Sequence, residues 1–156
     1  MRRESYGFLL VGCFVLAGPA VADEDFGDST SATLTGKAWA ALASGDFARV
    51  SVFTGRCREL YAGEAAKQQA GLTDFLPADK VHDMWALNDV GTCCFIEGQA
   101  LEKQGRNADA AAAYKQVVES YGFAQCWDPK GWFWRPAEAA SRRLAQLEFD
   151  KVLDAK

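Results

Sequence analysis

Helical periodicity dominates this chain and recurs in five segments separated by glycine, proline or polar turns. Within 33–44, 46–61, 88–104, 107–121 and 136–153, apolar residues return every three or four positions, which places them on one face of an α-helix. Strand signals are absent, because no segment alternates apolar and polar residues over a useful length. The sequence therefore predicts an all-α fold, an array of antiparallel helix hairpins with five helices.

Local signals fix several helix ends. Gly45 suits the left-handed conformation that ends a first helix, and Asp46 is a good N-cap for a second helix. Asn88 and Asp89 together predict the cap and acidic first turn of a third helix. Pro136 suits the first turn of the fifth helix. Residues 71–87 fit neither period, which predicts a connection with some local structure.

The N-terminus has the composition of an export signal. Arg2 and Arg3 precede an apolar run, Gly7 to Leu16, and the small residues Ala20-Val21-Ala22 follow it. This pattern predicts a signal peptide cleaved after Ala22, a periplasmic or secreted protein and no transmembrane anchor. As an alternative, Leu10-Val11-Gly12-Cys13 resembles the lipobox of bacterial lipoproteins, which would leave a lipid on Cys13.

Length and charge limit the remaining chain. We expect residues 1–22 to be the signal peptide, 23–32 a flexible acidic lead-in, and 33–156 a single helical domain. The formal net charge of the whole chain is −4. Such a charge disfavours nucleic acid or an anionic membrane as partner, whereas a basic ligand is tolerated.

Four cysteines follow the predicted cleavage site, Cys57, Cys93, Cys94 and Cys126, and an even number in an exported chain predicts two disulfides. In an antiparallel array, we expect one of the adjacent pair to meet Cys57 and the other to meet Cys126. Free buried thiols are the alternative. A metal site is the weaker interpretation, because the spacing is wrong for zinc and His82 is the only histidine. We expect no metal and no cofactor.

The stretch from Gly98 to Tyr121 resembles a tetratricopeptide repeat, a helix hairpin that stacks into solenoids. The matching positions are Gly98, Ala100, Leu101, Gly105, Ala110, Tyr114 and Val117. Residues 33–61 resemble a more divergent copy, with Gly45-Asp46-Phe47 at its turn.

This resemblance implies that the first helix of each pair lines a concave face that binds peptides or protein segments. On that face the resemblance places Trp39, Thr92, Phe95, Gln99 and Lys103. In the alternative interpretation, Trp39 and Phe95 only pack between the repeats.

The segment 121–136 holds six large aromatic side chains around one cysteine and an Asp-Pro-Lys-Gly turn. Each such ring buries about 150 to 250 Å² when it is packed. The rings either close the end of a short solenoid or leave Trp127, Trp132 and Trp134 free to contact a ligand. The segment also resembles the ending of small exported bacterial repeat proteins, some of which carry a β-glucanase precursor label. That resemblance implies a glycan-binding or β-glucan-processing accessory role as the alternative function.

Catalytic patterns are missing from the sequence. There is no phosphate-binding glycine loop, no Gly-X-Ser-X-Gly motif and no local acidic cluster of the kind that glycosidases use. His82 is interpreted as a surface histidine. The acidic residues are interpreted as caps, solvated faces or turn residues, namely Asp83, Asp89, Glu97, Glu102 and Asp128. The sequence predicts a non-catalytic module that binds an unidentified protein or peptide, with a glycoside hydrolase as a distant third interpretation.

Overall fold

The computed structural model of the protein describes residues 24–128 and 130–154. They form five α-helices and one β-hairpin, namely α1 (Ser31–Ser44), α2 (Phe47–Ala70), α3 (Trp85–Lys103), α4 (Asn107–Ser120), β1 (Cys126–Asp128), β2 (Trp132–Trp134) and α5 (Pro136–Asp154). The predicted all-α class is confirmed, with the small hairpin as an addition. The predicted signal peptide and Cys13 lie outside the described residues. None of the described helices is long and apolar enough to cross a membrane.

Two glycine turns organise the first four helices into hairpins. Gly45 ends α1 with a φ of 76°, and the side chain of Asp46 then accepts a hydrogen bond from the backbone N–H of Arg49 to start α2. Gly105, with a φ of 73°, lies between α3 and α4. A residue with a Cβ is strained at such positive φ values, so glycine is required at both turns.

Helix α3 is the centre of the molecule, because it packs against α1, α2, α4 and α5. Most of its side chains are buried, in contrast with the one-sided burial of α4. Close packing around α3 therefore holds the array together. The core includes Leu34, Ala38, Val50, Cys57, Val90, Cys93, Ile96, Tyr114 and Val117.

The predicted start of the third helix is wrong by one turn. A 3-10 turn over Val81–Met84 leads into α3 at Trp85, so Asn88 and Asp89 lie inside the helix. The Asn88 side chain donates a hydrogen bond to the carbonyl of Val81 (2.8 Å) and accepts one from the N–H of Gln125 (2.8 Å). Asn88 thus joins the 3-10 turn to the β-hairpin instead of capping the helix.

The β-hairpin corrects the prediction that strand signals are absent. Its strands pair antiparallel, with Trp127 opposite Phe133, and Gly131 closes the turn by donating its N–H to the carbonyl of Asp128 (2.9 Å). Each strand is three residues long, so neither could show a detectable alternation. Gln125 fixes the hairpin to the α2–α3 connection, because its side chain accepts from the N–H of Leu76 (2.9 Å).

The acidic lead-in, for which we expected flexibility, packs against the first helix pair. The Phe26 ring lies edge-on to Phe53 with centroids 6.2 Å apart. Glu24 forms an ion pair with Arg49 (2.6 Å). The last residues of the predicted lead-in belong to α1, which begins at Ser31.

The two predicted disulfides are not supported, because no two sulfur atoms of the four described cysteines lie at disulfide distance. Cys93 neighbours Cys57 across the α2–α3 interface, and the Cys93 sulfur lies 3.3 Å from the hydroxyl of Thr35. The Cys126 sulfur lies 2.8 Å from the hydroxyl of Thr92. Cys94 lies beside Arg58, so the two adjacent cysteines have different neighbours and Cys126 meets neither as a bonding partner.

Candidate functional site

A cavity of about 360 Å³ opens between α1, α3 and the β-hairpin. Helix spacing explains which side chains reach it, because residues three, four and seven apart share one face of a helix. On α1 these are Ala32, Thr35 and Trp39, and on α3 they are Trp85, Asn88, Asp89 and Thr92. The remaining walls come from His82, Gln125, Cys126, Trp127 and Trp134.

A second cavity of about 570 Å³ adjoins the first and shares Trp39, Trp127 and Trp134 with it. Its other walls are Phe95, Asp128, Trp132, Ala139 and Arg142. We call the two cavities together the tryptophan groove. All five tryptophans of the chain line it. The tryptophans are thus concentrated on one side of the molecule.

Trp134 anchors the β-hairpin to the helices. Its ring contacts Trp39 (centroids 6.4 Å apart) and Phe95 (5.4 Å). Trp127 and Trp132, by contrast, are each 53% exposed. The aromatic segment is therefore partly packed and partly exposed, since Trp134 packs against Trp39 and Phe95 whereas Trp127 and Trp132 are exposed in the groove.

Asp89 is a partly buried carboxylate in the first cavity. One oxygen accepts a hydrogen bond from the Ser31 hydroxyl, and the other accepts none from the described residues. None of the ion pairs among residues 24–128 and 130–154 includes Asp89. Burial raises the pKa of Asp89, and the Ser31 hydrogen bond opposes this only partly.

Three other titratable side chains lie near Asp89. His82 lines the same cavity from the 3-10 turn, and Cys126 lines it from β1. Cys93 follows on α3, where hydrogen bonding with Cys57 and burial raise its pKa well above the usual thiol value. Burial raises the pKa of Cys126 to about 12, so its thiol is protonated at neutral pH and is a poor nucleophile. Asp89 is thus the one carboxyl group that lines the first cavity.

The residues that the repeat resemblance placed on a concave face fall into three environments. Trp39 and Thr92 line the tryptophan groove. Phe95 also lines it but is only 6% exposed, under Trp134 and beside Tyr114. Gln99 is partly buried, with its side-chain oxygen unpaired among the described residues, and Lys103 is exposed and lines neither cavity.

Sequence reasoning missed Trp85, and it placed Asp89 and His82 outside any site. The spacing from Trp85 through Asp89 to Thr92 would have shown one helix face, but only with the helix beginning at Trp85. Two of the other acidic residues have ion-pair partners. Glu97 pairs with Arg58, and Glu102 pairs with Arg143.

Neither a metal-binding group among the described residues nor a similar protein indicates what the groove does. Within the described ranges, no three His, Cys, Asp or Glu side chains are grouped so that they could hold a metal ion. No protein-family model, curated protein or solved structure matches this chain.

Proposed function

We propose that this chain is an exported, non-catalytic interaction module that binds a segment of a partner protein in the tryptophan groove. One observation carries the proposal: all five tryptophans line two adjoining cavities on the side formed by α1 and α3. Tryptophan is the residue type most enriched at binding hot spots, because its ring combines a large apolar area with one hydrogen-bond donor. Four of these indoles are exposed, those of Trp39, Trp85, Trp127 and Trp132, which favours a binding surface over a mere cap.

The helical arrangement supports a repeat-like role. α1 and α3 are each the first helix of a hairpin closed by a positive-φ glycine. In tetratricopeptide-like arrays the first helices line the concave binding face. In this chain the groove is lined by residues of the two first helices, Trp39 of α1 and Thr92 of α3, which supports such a role.

The chemistry of the groove supports binding over catalysis. Cys126, the thiol that lines it, is held protonated by burial. The carboxylates of Asp89 and Asp128 line different cavities of the groove. The groove thus offers aromatic rings, a thiol that is protonated at neutral pH, and carboxylates in separate cavities. This combination suits recognition of a ligand.

A pull-down with the immobilised chain tests this proposal. The full chain is immobilised beside the variants Trp127→Ala and Leu60→Ala, and the proteins retained from an envelope extract of the native host are quantified. Leu60 is the matched control, because it is 42% exposed on α2 and lines neither cavity. We expect a partner that Trp127→Ala loses and Leu60→Ala keeps. Equal retention by all three proteins would contradict binding in the groove.

A glycan is the second candidate, and the exposed indoles of Trp127 and Trp132 favour it. Flat indole faces stack on sugar rings, and a β-glucan-processing accessory protein would use them in this way. Retention on insoluble β-glucan, lost in Trp132→Ala, would support this candidate. If the protein stays in solution with every polysaccharide that is tested, the glycan proposal fails.

Export is part of the proposal and has its own test. We propose a periplasmic or secreted location, with cleavage after Ala22. Fractionation of the host followed by N-terminal sequencing should give a mature chain that begins at Asp23. A lipid-modified Cys13 at the N-terminus would instead establish the lipoprotein alternative.

A further inference from the structure

Asp89 is the one carboxylate on the floor of the first cavity, and it lacks a cationic partner among the described residues. A partly buried charge without a counter-ion costs stability unless a ligand supplies the opposite charge. The Ser31 hydroxyl donates to one oxygen only, so the second oxygen is left for a further donor. The floor of the groove is therefore complementary to a cation.

The walls around Asp89 favour the same kind of ligand. Trp39 and Trp85 line the first cavity with exposed fractions of 37% and 44%, and Trp127 lines it with 53%. Cations bind favourably over indole faces, and the apolar stem of a long basic side chain packs against the same rings. The cavity volume of about 360 Å³ lies within the range of roughly 300 to 1,000 Å³ that ligand pockets occupy.

We propose that the first cavity of the tryptophan groove binds a lysine or arginine side chain of the partner segment, with its ammonium or guanidinium group paired to Asp89. This inference rests on the proposed function, because it assigns the chemistry of the ligand to the same groove. The stem of the basic side chain lies between Trp39, Trp85 and Trp127. The formal charge of −4 on the chain attracts such a partner at longer range.

A peptide and a free amine would differ in whether they occupy the second cavity. A small amine fills only the space around Asp89, whereas residues that flank a basic side chain continue into the adjoining 570 Å³ between Trp132, Trp134 and Arg142. Asp128 and Arg142 there offer one charge of each sign to the backbone or side chains of the segment. A peptide thus uses both cavities of the groove, whereas a free amine uses only the first.

Selection from a random heptapeptide library on phage provides the probe. The full chain is the bait, and selected peptides are synthesised and titrated against the wild type, Asp89→Asn, Trp127→Ala and Glu119→Gln. Asparagine keeps an acceptor for the Ser31 hydroxyl and removes the charge. Glu119 is the control for net charge, because it is exposed on α4 and lines neither cavity.

We expect the selected peptides to share one lysine or arginine. Its replacement by norleucine should weaken binding to the wild type about 10- to 100-fold, the usual cost of one charge-assisted hydrogen bond. The same replacement should have little effect on Asp89→Asn, since the charge that it pairs with is already gone. Glu119→Gln should bind as the wild type does, and near-UV circular dichroism should show that every variant is folded.

Three results would overturn parts of the account, and they are distinguishable. Peptides that need Trp127 but contain no required basic residue would refute the cation assignment and leave the groove as the binding site. A library that yields no peptide dependent on Trp127 would refute the proposed function itself. Butylammonium ion that competes at the concentration at which the peptide binds would show that a free amine suffices and would refute the peptide assignment.

Discussion

The ring of Tyr114 on α4 lies directly against the backbone of Gly98 on α3. A methyl group at Gly98 would come within 2.5 Å of Cε1 of Tyr114, closer than real side-chain carbons approach one another. The Tyr114 hydroxyl then donates to Glu102 (2.8 Å), which also pairs with Arg143 of α5 (2.7 Å). One small residue and one aromatic residue thus set the distance between α3 and α4 and connect both helices to α5.

Gly98→Ala should destabilise the protein by about 1–3 kcal/mol, the usual cost of overpacking a core. Denaturant unfolding followed by circular dichroism measures this loss. Gly63→Ala is the matched control, because Gly63 lies inside α2 with open space around it. There the substitution should be neutral or add about 0.5–1 kcal/mol, since alanine favours the helix. Equal effects at the two sites would contradict the close contact with Tyr114.

Trp134→Ala and Trp132→Ala should differ in their effect on stability. Trp134 packs against Trp39 and Phe95, so its removal should cost about 1–3 kcal/mol. Trp132 is 53% exposed, and its removal should change stability by less than about 0.5 kcal/mol. Thermal unfolding of the two variants tests this division of the aromatic segment. A larger loss at Trp132 would show that the division is reversed.

Asp89→Asn should stabilise the free protein at neutral pH. The pKa of Asp89 is raised by burial, so the folded state binds this proton more tightly than the unfolded chain does. The contribution of Asp89 to the free energy of unfolding is therefore greatest below its pKa in the unfolded chain, about 3.9. This contribution is lost as the pH rises through the higher pKa of the folded state. Near pH 3 the variant and the wild type should unfold at similar denaturant concentrations, and above the folded pKa the variant should be more stable.

The same pH series should be recorded with Glu119→Gln, whose difference from the wild type should not follow this profile. His82 and Cys126 line the same cavity as Asp89, and Cys93 lies one turn further along α3, so the comparison between variant and wild type isolates the carboxyl. A wild type that is more stable than Asp89→Asn at pH 7 would mean that Asp89 stabilises the fold. The case for a ligand cation would then lose its energetic basis.

Cys57 and Cys93 should be the first cysteines to form a disulfide when copper–phenanthroline oxidises the protein. Cys57 and Cys93 are neighbours across the α2–α3 interface, whereas Cys126 contacts Thr92 and Cys94 lies beside Arg58. The two thiols lose their hydrogens to oxygen through copper, and the new bond should stabilise the fold by about 2–4 kcal/mol. Non-reducing peptide mapping identifies the product. A Cys93–Cys126 or Cys94–Cys126 link would contradict the arrangement in the structure.

Local signals made much of the fold predictable. Gly45, Asp46 and Pro136 mark helix ends because each depends on the conformation or hydrogen bonds of its own few residues. The start of α3 was not predictable in this way. Asn88 has the composition of a cap, but tertiary hydrogen bonds to Val81 and Gln125 use its side chain and extend the helix back to Trp85.

The candidate site was predictable only in part, for the same reason. Trp39 and Thr92 follow from the repeat resemblance, and Trp127 and Trp132 follow from the aromatic composition of their segment. The role of Asp89 depends on the face of α3 on which it lies and on a hydrogen bond from Ser31, 58 residues earlier in the chain. Such a long-range contact leaves no periodic signal in the sequence.

Photo-crosslinking in the native host shows whether a partner contacts the tryptophan groove. Benzoylphenylalanine replaces Trp132 or Trp85 in the groove, and in control proteins it replaces Leu60 on α2 or Val152 on α5, both exposed outside it. Both groove positions should give the same protein adduct on irradiation, and the control positions should not. An adduct formed from Leu60 or Val152 but from neither groove position would show that the partner binds outside the groove.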